Sequence, residues 1–297
     1  MKKRNSSPTP VLPNLLSGVP LSYVPPVLAE DASAPGRSLG LASVPNLRDV
    51  GGYGTKDGWV VRRGAAYRSN QLNPVQPDDM KKLAALGLKN CFDLRTAAER
   101  ETRPDELPSG VKSVWLNVVA DAKGAGPAEL AELLSNPQEA NEALGGGKLA
   151  KMFAQHCRKF ITLPSAQAAF RQLFVELTDE KQLPSLFHCS TGKDRTGWAS
   201  AALLTVLGVP EDQVYADYLR SNEYLLPAYR PYIDGFVAAG GDPSIPPGVL
   251  GVKTEYLRAM FDEVKTQYGS MEGYFETGLG IDRVGRQRLR ERFLERQ

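Results

Sequence analysis

The sequence predicts an α/β protein of three layers, in which helices flank a mostly parallel central sheet. Two observations support this fold class. Short apolar runs that suit buried strands alternate with helical segments along most of the chain. In addition, residues 188–197 form a loop of small and polar residues that joins an apolar strand directly to a helix. The alternation and this junction together favour a parallel sheet with the loop at a strand-to-helix connection.

The chain begins with an arm of different composition. Residues 1–43 are rich in Pro, Ser and Gly and carry only short apolar patches. This composition favours extended structure on a domain surface, or disorder, over a separate fold. We therefore expect one domain over residues 44–297.

Turn residues and apolar runs place the elements of the first half. The predicted elements are a hairpin turn at 56–58, a strand at 59–61, a strand end at 67–69, a helix over 77–86 and strands at 88–94 and 111–119. Pro77 opens the helix and Gly87 ends it. The strand at 88–94 delivers Asp93 and Arg95 at its carboxyl end.

The second half is mainly helical. Glycine-rich breaks in residues 120–160 suit either a surface lid or insertion, or a plain helical excursion. The further predicted elements are a helix over 165–178, a strand at 184–187, helices over 194–207 and through 214–225, an irregular connection at 240–251, helices over 252–268 and 271–278 and a basic helix from 281 onward.

Composition excludes several classes of function. The chain has 297 residues, is 42% hydrophobic and has a formal net charge of +2, with no dominating basic run, so we expect no nucleic-acid partner. Three cysteines without a CxxC pair make a disulfide framework unexpected. Two histidines give a zinc site or a Ser-His-Asp hydrolase almost no candidate residues, so we expect no metal and no cofactor.

The amino terminus bears on localisation. No stretch approaches the roughly 20 consecutive apolar residues of a membrane span. Residues 1–4 resemble the positive start of a signal peptide, but prolines and polar residues interrupt the segment that follows, so no helical apolar core forms there. We expect a cytoplasmic protein, with secretion or a periplasmic location as the alternative.

The loop at residues 188–197 is where we expect the chemistry. Cys189 and Arg195 stand six residues apart, after an apolar strand and at the start of a helix. Backbone N–H groups of such a loop capture a phosphate, the guanidinium grips two of its oxygens and a thiolate attacks phosphorus. The spacing alone is weak, and the alternative is a buried cysteine beside a helix-capping Asp194. A nucleotide-binding loop does not fit, because Phe187 and Asp194 occupy its required Gly and Ser/Thr positions.

The wider motif carries a family resemblance. His188-Cys189-Ser190-Thr191-Gly192-Lys193-Asp194-Arg195-Thr196-Gly197 resembles the signature of bacterial cysteine-dependent tyrosine phosphatases. The segments that agree with the same family are Asn46–Gly52, Tyr67–Ser69, Asp93–Thr96 with Glu99, and Asp217–Asn222. The resemblance covers about residue 44 to the carboxyl terminus, and it implies a catalytic domain of the phosphatase fold.

The resemblance implies roles for the loop residues. Cys189 is expected as the nucleophile that forms a phosphocysteine, and Arg195 as the bidentate phosphate ligand. The substrate phosphate is expected to contact Ser190, Thr191, Gly192, Lys193, Asp194 and Arg195. His188 is expected to set the thiol environment, or else to be a hydrogen-bonded core residue. Thr196 is expected to donate to the thiolate, or else only to cap the helix.

The general acid is expected inside the loop. The sequence has no Trp-Pro-Asp tripeptide of the kind that carries the acid in familiar tyrosine phosphatases. In the resembled family the acid maps to Asp194, with Asp93 as its helper or replacement, unless Asp93 merely binds a backbone turn. Arg48 and Asp49 are expected to brace the loop from below, or else to form only a turn salt bridge.

These expectations define a metal-independent phosphatase. Its expected substrates are phosphotyrosine proteins, with phosphoserine/threonine proteins and phosphoinositides as further candidates. The resemblance links Lys193 to phosphoinositides because extra ring phosphates need extra cations, whereas the alternative is a solvent-facing lysine. The competing functions are an inositol polyphosphate phosphatase and a catalytically dead phosphate-binding module.

Overall fold

The computed structural model describes residues 31, 33–122, 130 and 133–296, and it confirms the α/β class. The first 30 residues of the predicted arm lie outside the described residues. Residues 33–43 pack on the domain. Leu41 is buried, the Gly36 amide donates to the Gly51 carbonyl at 2.9 Å, and Ser38 pairs with Arg48 in an antiparallel bridge.

Two sheets form in the described part of the chain. The strands are β1 (Arg48–Asp49), β2 (Trp59–Val61), β3 (Ala66–Ser69), β4 (Asn90–Asp93), β5 (Lys112–Trp115), β6 (Ser185–His188) and β7 (Leu294–Arg296). The main sheet has the order β1-β3-β6-β4-β5, and its pairs are parallel except for β1 with β3. Strands β2 and β7 form a separate antiparallel pair.

The register of the main sheet brings three strand ends together. His188, the last residue of β6, lies opposite Ser69 of β3 and Asp93 of β4. All four residues of β6 are buried, as expected for the central strand of a sheet covered on both faces. The loop that follows β6 therefore leaves the sheet between the ends of its two neighbours, where α/β proteins place their sites.

Helices make up most of the remaining described chain. They are α1 (Pro77–Ala85), α2 (Ala97–Thr102), α3 (Pro137–Leu144), α4 (Lys148–Thr162), α5 (Pro164–Glu176), α6 (Arg195–Leu207), α7 (Glu211–Leu219), α8 (Ser221–Ala228), α9 (Arg230–Ala238), α10 (Ile245–Leu250), α11 (Thr254–Tyr268), α12 (Met271–Gly273) and α13 (Arg283–Phe293). Glu180–Gln182 is a 3₁₀ turn, and Tyr274–Gly278 continues α12 as a π-helical turn.

Several elements differ from the sequence prediction, and helices α2 and α9 were not predicted. The helix predicted through 214–225 is interrupted at Arg220 between α7 and α8. The connection predicted as irregular at 240–251 contains α10, because two prolines in its first turn occupy positions that need no intrahelical N–H. The final strand β7 was not predicted, since its partner β2 lies far away in the sequence.

Helix α6 is the buried helix beside the main sheet. It contacts β3 and β6, and Trp198 and most of its other residues are inaccessible to solvent. Gly208 ends it in the left-handed conformation, at φ 94°. Among the described residues, no helix is both long and apolar enough to cross a membrane.

Candidate active site

The loop from Cys189 to Asp194 joins β6 to the first residue of α6, Arg195. Its tight course depends on Gly192, which has φ 70° and passes beside the end of β3. A Cβ at this position would lie 2.3 Å from the Ser69 carbonyl oxygen. Only glycine fits both the conformation and the space. The first amides of α6 consequently face the loop, as an anion-binding loop requires.

Cys189 is buried at the start of this loop, with 1% of its surface exposed. Burial alone raises the pKa of its thiol, but the Arg195 guanidinium and hydrogen bonds from Thr196 lower it by more. The net pKa of Cys189 therefore lies below its ordinary value, which favours the nucleophilic thiolate.

The Glu99 carboxylate holds Arg195. From the sequence, Glu99 was recognised only as part of a motif segment. Glu99 accepts from both terminal nitrogens of Arg195, at 2.8 and 2.7 Å, and the Ser190 hydroxyl also donates to Glu99. The Glu99 backbone and side chain form a capping box with Thr96 at the start of α2. Burial alone raises the pKa of Glu99, but Arg195 holds it well below its usual range.

Lys193 and Asp194 form an ion pair within the loop. The Lys193 Nζ lies 3.0 and 2.9 Å from the two carboxylate oxygens of Asp194. The lysine is 1% exposed and lies 5.3 Å from the centre of the Phe153 ring, so it is not a solvent-facing side chain. Asp194 occupies the cap position of α6 but makes no capping hydrogen bond, and its carboxylate borders the pocket.

The resemblance implied that Asp93 faces the active site, but in the structure Asp93 does not line the pocket. Its side chain is fully buried below the loop, where Oδ1 accepts from Arg95 and Oδ2 accepts from Arg95 and Arg100. Each of these three distances is 2.8 or 2.9 Å. Because Asp93 binds these two guanidinium groups and is not part of the pocket lining, it is poorly placed to reach a leaving oxygen. This position corrects the expectation that Asp93 helps or replaces Asp194.

His188 lies in a buried cluster and is not part of the pocket lining. Its Nε2 is 3.1 Å from the carboxylate of Asp105, a residue that the sequence reasoning missed. Cys91, Asp105 and His188 offer ligand atoms within 4.8 Å of one another. The Arg95 guanidinium lies 2.8 Å from the same Asp105 oxygen, so a cation already balances this carboxylate.

A second buried network supports the loop from β1, β3 and α7. Asp217 pairs with Arg48 at 2.6 Å and with Arg68 at 2.5 Å. Arg68 donates to the Gly192 carbonyl at 2.9 Å, and the Asn46 side chain donates to the Thr191 and Gly192 carbonyls at 3.1 and 3.2 Å. These contacts fix the loop through its backbone oxygens.

The two residues expected to brace the loop behave differently. Arg48 belongs to this second network through Asp217 and Asn46. Asp49 instead accepts from the backbone amides of Gly51 and Gly64, at 2.8 and 2.9 Å, and stabilises its own turn. The sequence reasoning missed Asn46, Arg68 and Asp217 as supports, although all three lie in the motif segments that carried the resemblance.

A pocket of about 550 Å³ opens above the loop. Its polar side contains Glu99, Thr191, Lys193, Asp194 and Arg195. The opposite side is mostly apolar and is lined by Val119, Leu130, Leu133, Met152, Phe153, Phe160 and Val249. Much of this wall comes from α4, within the region 120–160 that was predicted as a lid or a helical excursion.

A low-pKa cysteine below a helix amino terminus, with an arginine ready for two phosphate oxygens, defines the site class of cysteine-dependent phosphatases. A model described as the tyrosine phosphatase family matches residues 39–295, and this chain belongs to that family. The resemblance drawn from the motif is thus confirmed.

Named relatives agree with this membership. The chain is 31% identical to the triple specificity protein phosphatase PtpB of Mycobacterium tuberculosis over 269 residues, 82% of this chain and 95% of PtpB. It is 28% identical to a tyrosine-protein phosphatase of Nostoc commune over 241 residues, 78% of this chain and 75% of the relative. The chain is also 29% identical to a relative from Cupriavidus necator over 252 residues, which are 84% of this chain and 88% of the relative.

Proposed function

We propose that this protein hydrolyses phosphotyrosine monoesters through a phosphocysteine intermediate. The observation that carries the proposal is Cys189, whose pKa is lowered beside Arg195 at the start of α6. Thiolate, guanidinium and helix amides converge on one small volume, which suits a phosphate dianion. The family membership supports the same reaction.

The first chemical step transfers the phosphoryl group to sulfur. The loop amides and Arg195 bind the phosphate oxygens, and the Cys189 thiolate attacks phosphorus. A bond from sulfur to phosphorus forms as the bond from phosphorus to the tyrosine oxygen breaks. The protonated form of Asp194 gives its proton to the leaving oxygen, since its carboxyl group borders the pocket next to Arg195. The carboxylate that remains forms the ion pair with Lys193.

Water completes the cycle. Asp194, now ionised, accepts a proton from a water molecule that attacks phosphorus, and the bond from phosphorus to Cys189 breaks. Inorganic phosphate leaves and the thiolate is restored. Glu99 keeps Arg195 oriented throughout, because two of its hydrogen bonds hold the guanidinium plane.

The pocket suits an aromatic substrate. Phe153 and Met152 of α4 line the pocket beside the loop residues, and burial of a phenyl ring against them would contribute binding free energy. Lys159 and Lys193 also line the pocket and attract additional anionic groups. We include phosphoserine/threonine proteins and phosphoinositides as further substrates. The name of PtpB, a triple specificity protein phosphatase, supports activity beyond phosphotyrosine. We also propose that the region predicted as a lid, residues 120–160, covers the site through its described helix α4, whose Met152 and Phe153 line the pocket.

The deciding experiment measures para-nitrophenyl phosphate turnover with EDTA present. We expect turnover in the unmodified protein and none in Cys189→Ser, which retains phosphate binding. Binding without turnover in the unmodified protein would instead identify a phosphate-binding module. Rates on phosphotyrosine peptides, phosphoserine/threonine peptides, phosphoinositide vesicles and soluble inositol polyphosphates rank the substrate classes. A preference for soluble inositol polyphosphates would overturn the assignment of phosphotyrosine.

A further inference from the structure

The His188 ring is fully buried between two hydrogen-bond acceptors. Its Nδ1 lies 3.2 Å from the Cys189 carbonyl oxygen, and its Nε2 lies 3.1 Å from Asp105 and 3.9 Å from Asp93. A carbonyl and an ionised carboxylate can only accept. The contact of Nε2 with Asp105 has an ion-pair distance but not the alignment of a hydrogen bond. A neutral ring with its N–H on Nδ1, toward the carbonyl, would hold an Nε2 lone pair 3.1 Å from the negative carboxylate, whereas an imidazolium places positive charge there. The geometry therefore fits the charged ring.

The groups around His188 hold Asp105 ionised. The Arg95 guanidinium lies 2.8 Å from the Asp105 oxygen that faces His188, and the Leu72 amide donates to the other oxygen at 3.3 Å. Burial alone raises the pKa of Asp105, but His188 and Arg95 lower it well below the usual range. The carboxylate is thus available as a permanent partner for a charged ring.

An imidazolium at His188 changes the net charge of this buried cluster. The carboxylates of Asp93 and Asp105 face the cations Arg95 and Arg100, and burial raises the pKa of the neighbouring Cys91 thiol, which stays neutral. The two carboxylates and the two guanidinium groups together have no net charge. A protonated His188 leaves one net positive charge next to Cys189, in contact with its carbonyl oxygen and outside the pocket lining.

We propose that Asp105 is a positioning residue that keeps His188 doubly protonated, so that the imidazolium holds the Cys189 carbonyl and stabilises the Cys189 thiolate from behind the loop. Arg195 and Thr196 stabilise the thiolate from the helix side, and Asp194 opposes them. Asp105 acts only through His188 and touches no substrate. The proposal rests on the proposed phosphatase function, and it explains part of the reactivity of the nucleophile Cys189.

The first test titrates the thiol without any substrate. Alkylation of Cys189 by iodoacetamide, followed across pH by mass spectrometry of its peptide, reports the fraction of thiolate. We expect Asp105→Asn to raise the midpoint by about one pH unit, with about tenfold slower alkylation below both midpoints. Asp105→Glu should restore most of the shift. Glu106→Gln is the matched control, because this neighbouring carboxylate accepts from the Val75 amide and not from His188, so the change should leave the midpoint unaltered.

The second test observes the imidazole directly. The chain contains two histidines, so ¹⁵N-histidine labelling yields two ring systems, and His156→Gln assigns them. We expect both His188 nitrogens to be protonated at pH 7.5 in the unmodified protein. In Asp105→Asn we expect one of them to be protonated.

Two results overturn the proposal: a singly protonated His188 ring in the unmodified protein, or an unchanged thiol midpoint in Asp105→Asn. The spectrum of the unmodified protein and the Asp105→Glu titration decide the matter even if Asp105→Asn does not fold. Neither readout needs turnover, so absence of phosphatase activity in the unmodified protein would be a separate result.

Discussion

Arg195 is oriented before any phosphate arrives. Glu99 accepts from both of its terminal nitrogens, and Ser190 adds a third hydrogen bond to the same carboxylate. A guanidinium fixed in this way loses little further freedom when it binds the phosphate and its transition state. Lysine at position 195 would lack the two parallel donors that Glu99 orients.

The dependence of the reaction rate on the leaving group tests whether Asp194 is the general acid. Para-nitrophenolate leaves readily without a proton, whereas the alkoxide of an alkyl phosphate needs one. We expect Asp194→Asn to reduce kcat about 10²–10³-fold for alkyl phosphates and for phosphotyrosine, and much less for para-nitrophenyl phosphate. Steady-state kinetics on a series of aryl and alkyl phosphates measures this dependence. Equal losses across the series would place the proton donor elsewhere.

Asp93→Asn is the companion variant. Because Asp93 binds Arg95 and Arg100 in a fully buried position, its loss should lower the free energy of unfolding. Its residual activity should show no increased dependence on the leaving group. A steep dependence in this variant would restore Asp93 as a proton donor.

At the scale of elements, the parallel sheet and α6 give the loop its shape. β6 ends level with β3 and β4, and the loop turns past the end of β3 before α6 begins. Carbonyls of the loop are held by Arg68 and Asn46, which leaves its amides directed to the pocket. The anion site is thus a product of strand register and helix position.

Gly192→Ala tests this close approach. The new Cβ would lie 2.3 Å from the Ser69 carbonyl oxygen, so the loop must move, and we expect a loss of kcat/KM of at least about 10²-fold. Gly87→Ala is the matched control, since Gly87 also has positive φ, 64°, but has open space around its Cβ position. It should cost about 1–2 kcal/mol of stability and leave the kinetics unchanged. Similar kinetics in both variants would refute the steric argument.

At the scale of the whole molecule, Asp217 connects α7 to β1 and β3 through two buried arginines. Replacing it by Asn would leave Arg48 and Arg68 without a counter-charge. We expect Asp217→Asn to lose about 3–5 kcal/mol of unfolding free energy, measured by urea denaturation. The exposed Asp212 on the same helix is the control, and Asp212→Asn should lose less than about 1 kcal/mol. Equal losses would show that the buried network does not stabilise the fold.

Stability should depend on pH through the same buried groups. Their pKa values are lowered from 3.8 for Asp105 and Asp217 and from 4.5 for Glu99, so their contribution is present above these values and is lost as pH falls. The pKa of His188 is raised above 6.5, so its contribution is present below 6.5 and is lost only at higher pH. We expect urea denaturation to show unfolding free energy falling steeply below about pH 4.5. A flat profile from pH 5 to 2 would contradict this.

Much of the fold followed from local pattern. Pro77 and Gly87 marked the ends of α1, and apolar runs located β4 and β6 because a buried strand needs contiguous apolar residues. β7 and α10 were missed. A strand of three residues carries too little local signal, and the prolines of α10 suggest irregular structure until their first-turn position is known.

By itself the sequence determined the fold class and the loop that holds Cys189 and Arg195, and the resemblance of its motif segments determined the family, since patterns and motifs are contiguous in the chain. The tertiary structure decided which charges meet. It paired Glu99 with Arg195, directed Asp93 into buried arginines and placed Asp105 beside His188. Such pairings join segments distant along the chain, and only packing of the sheet and helices sets their distances and desolvates them.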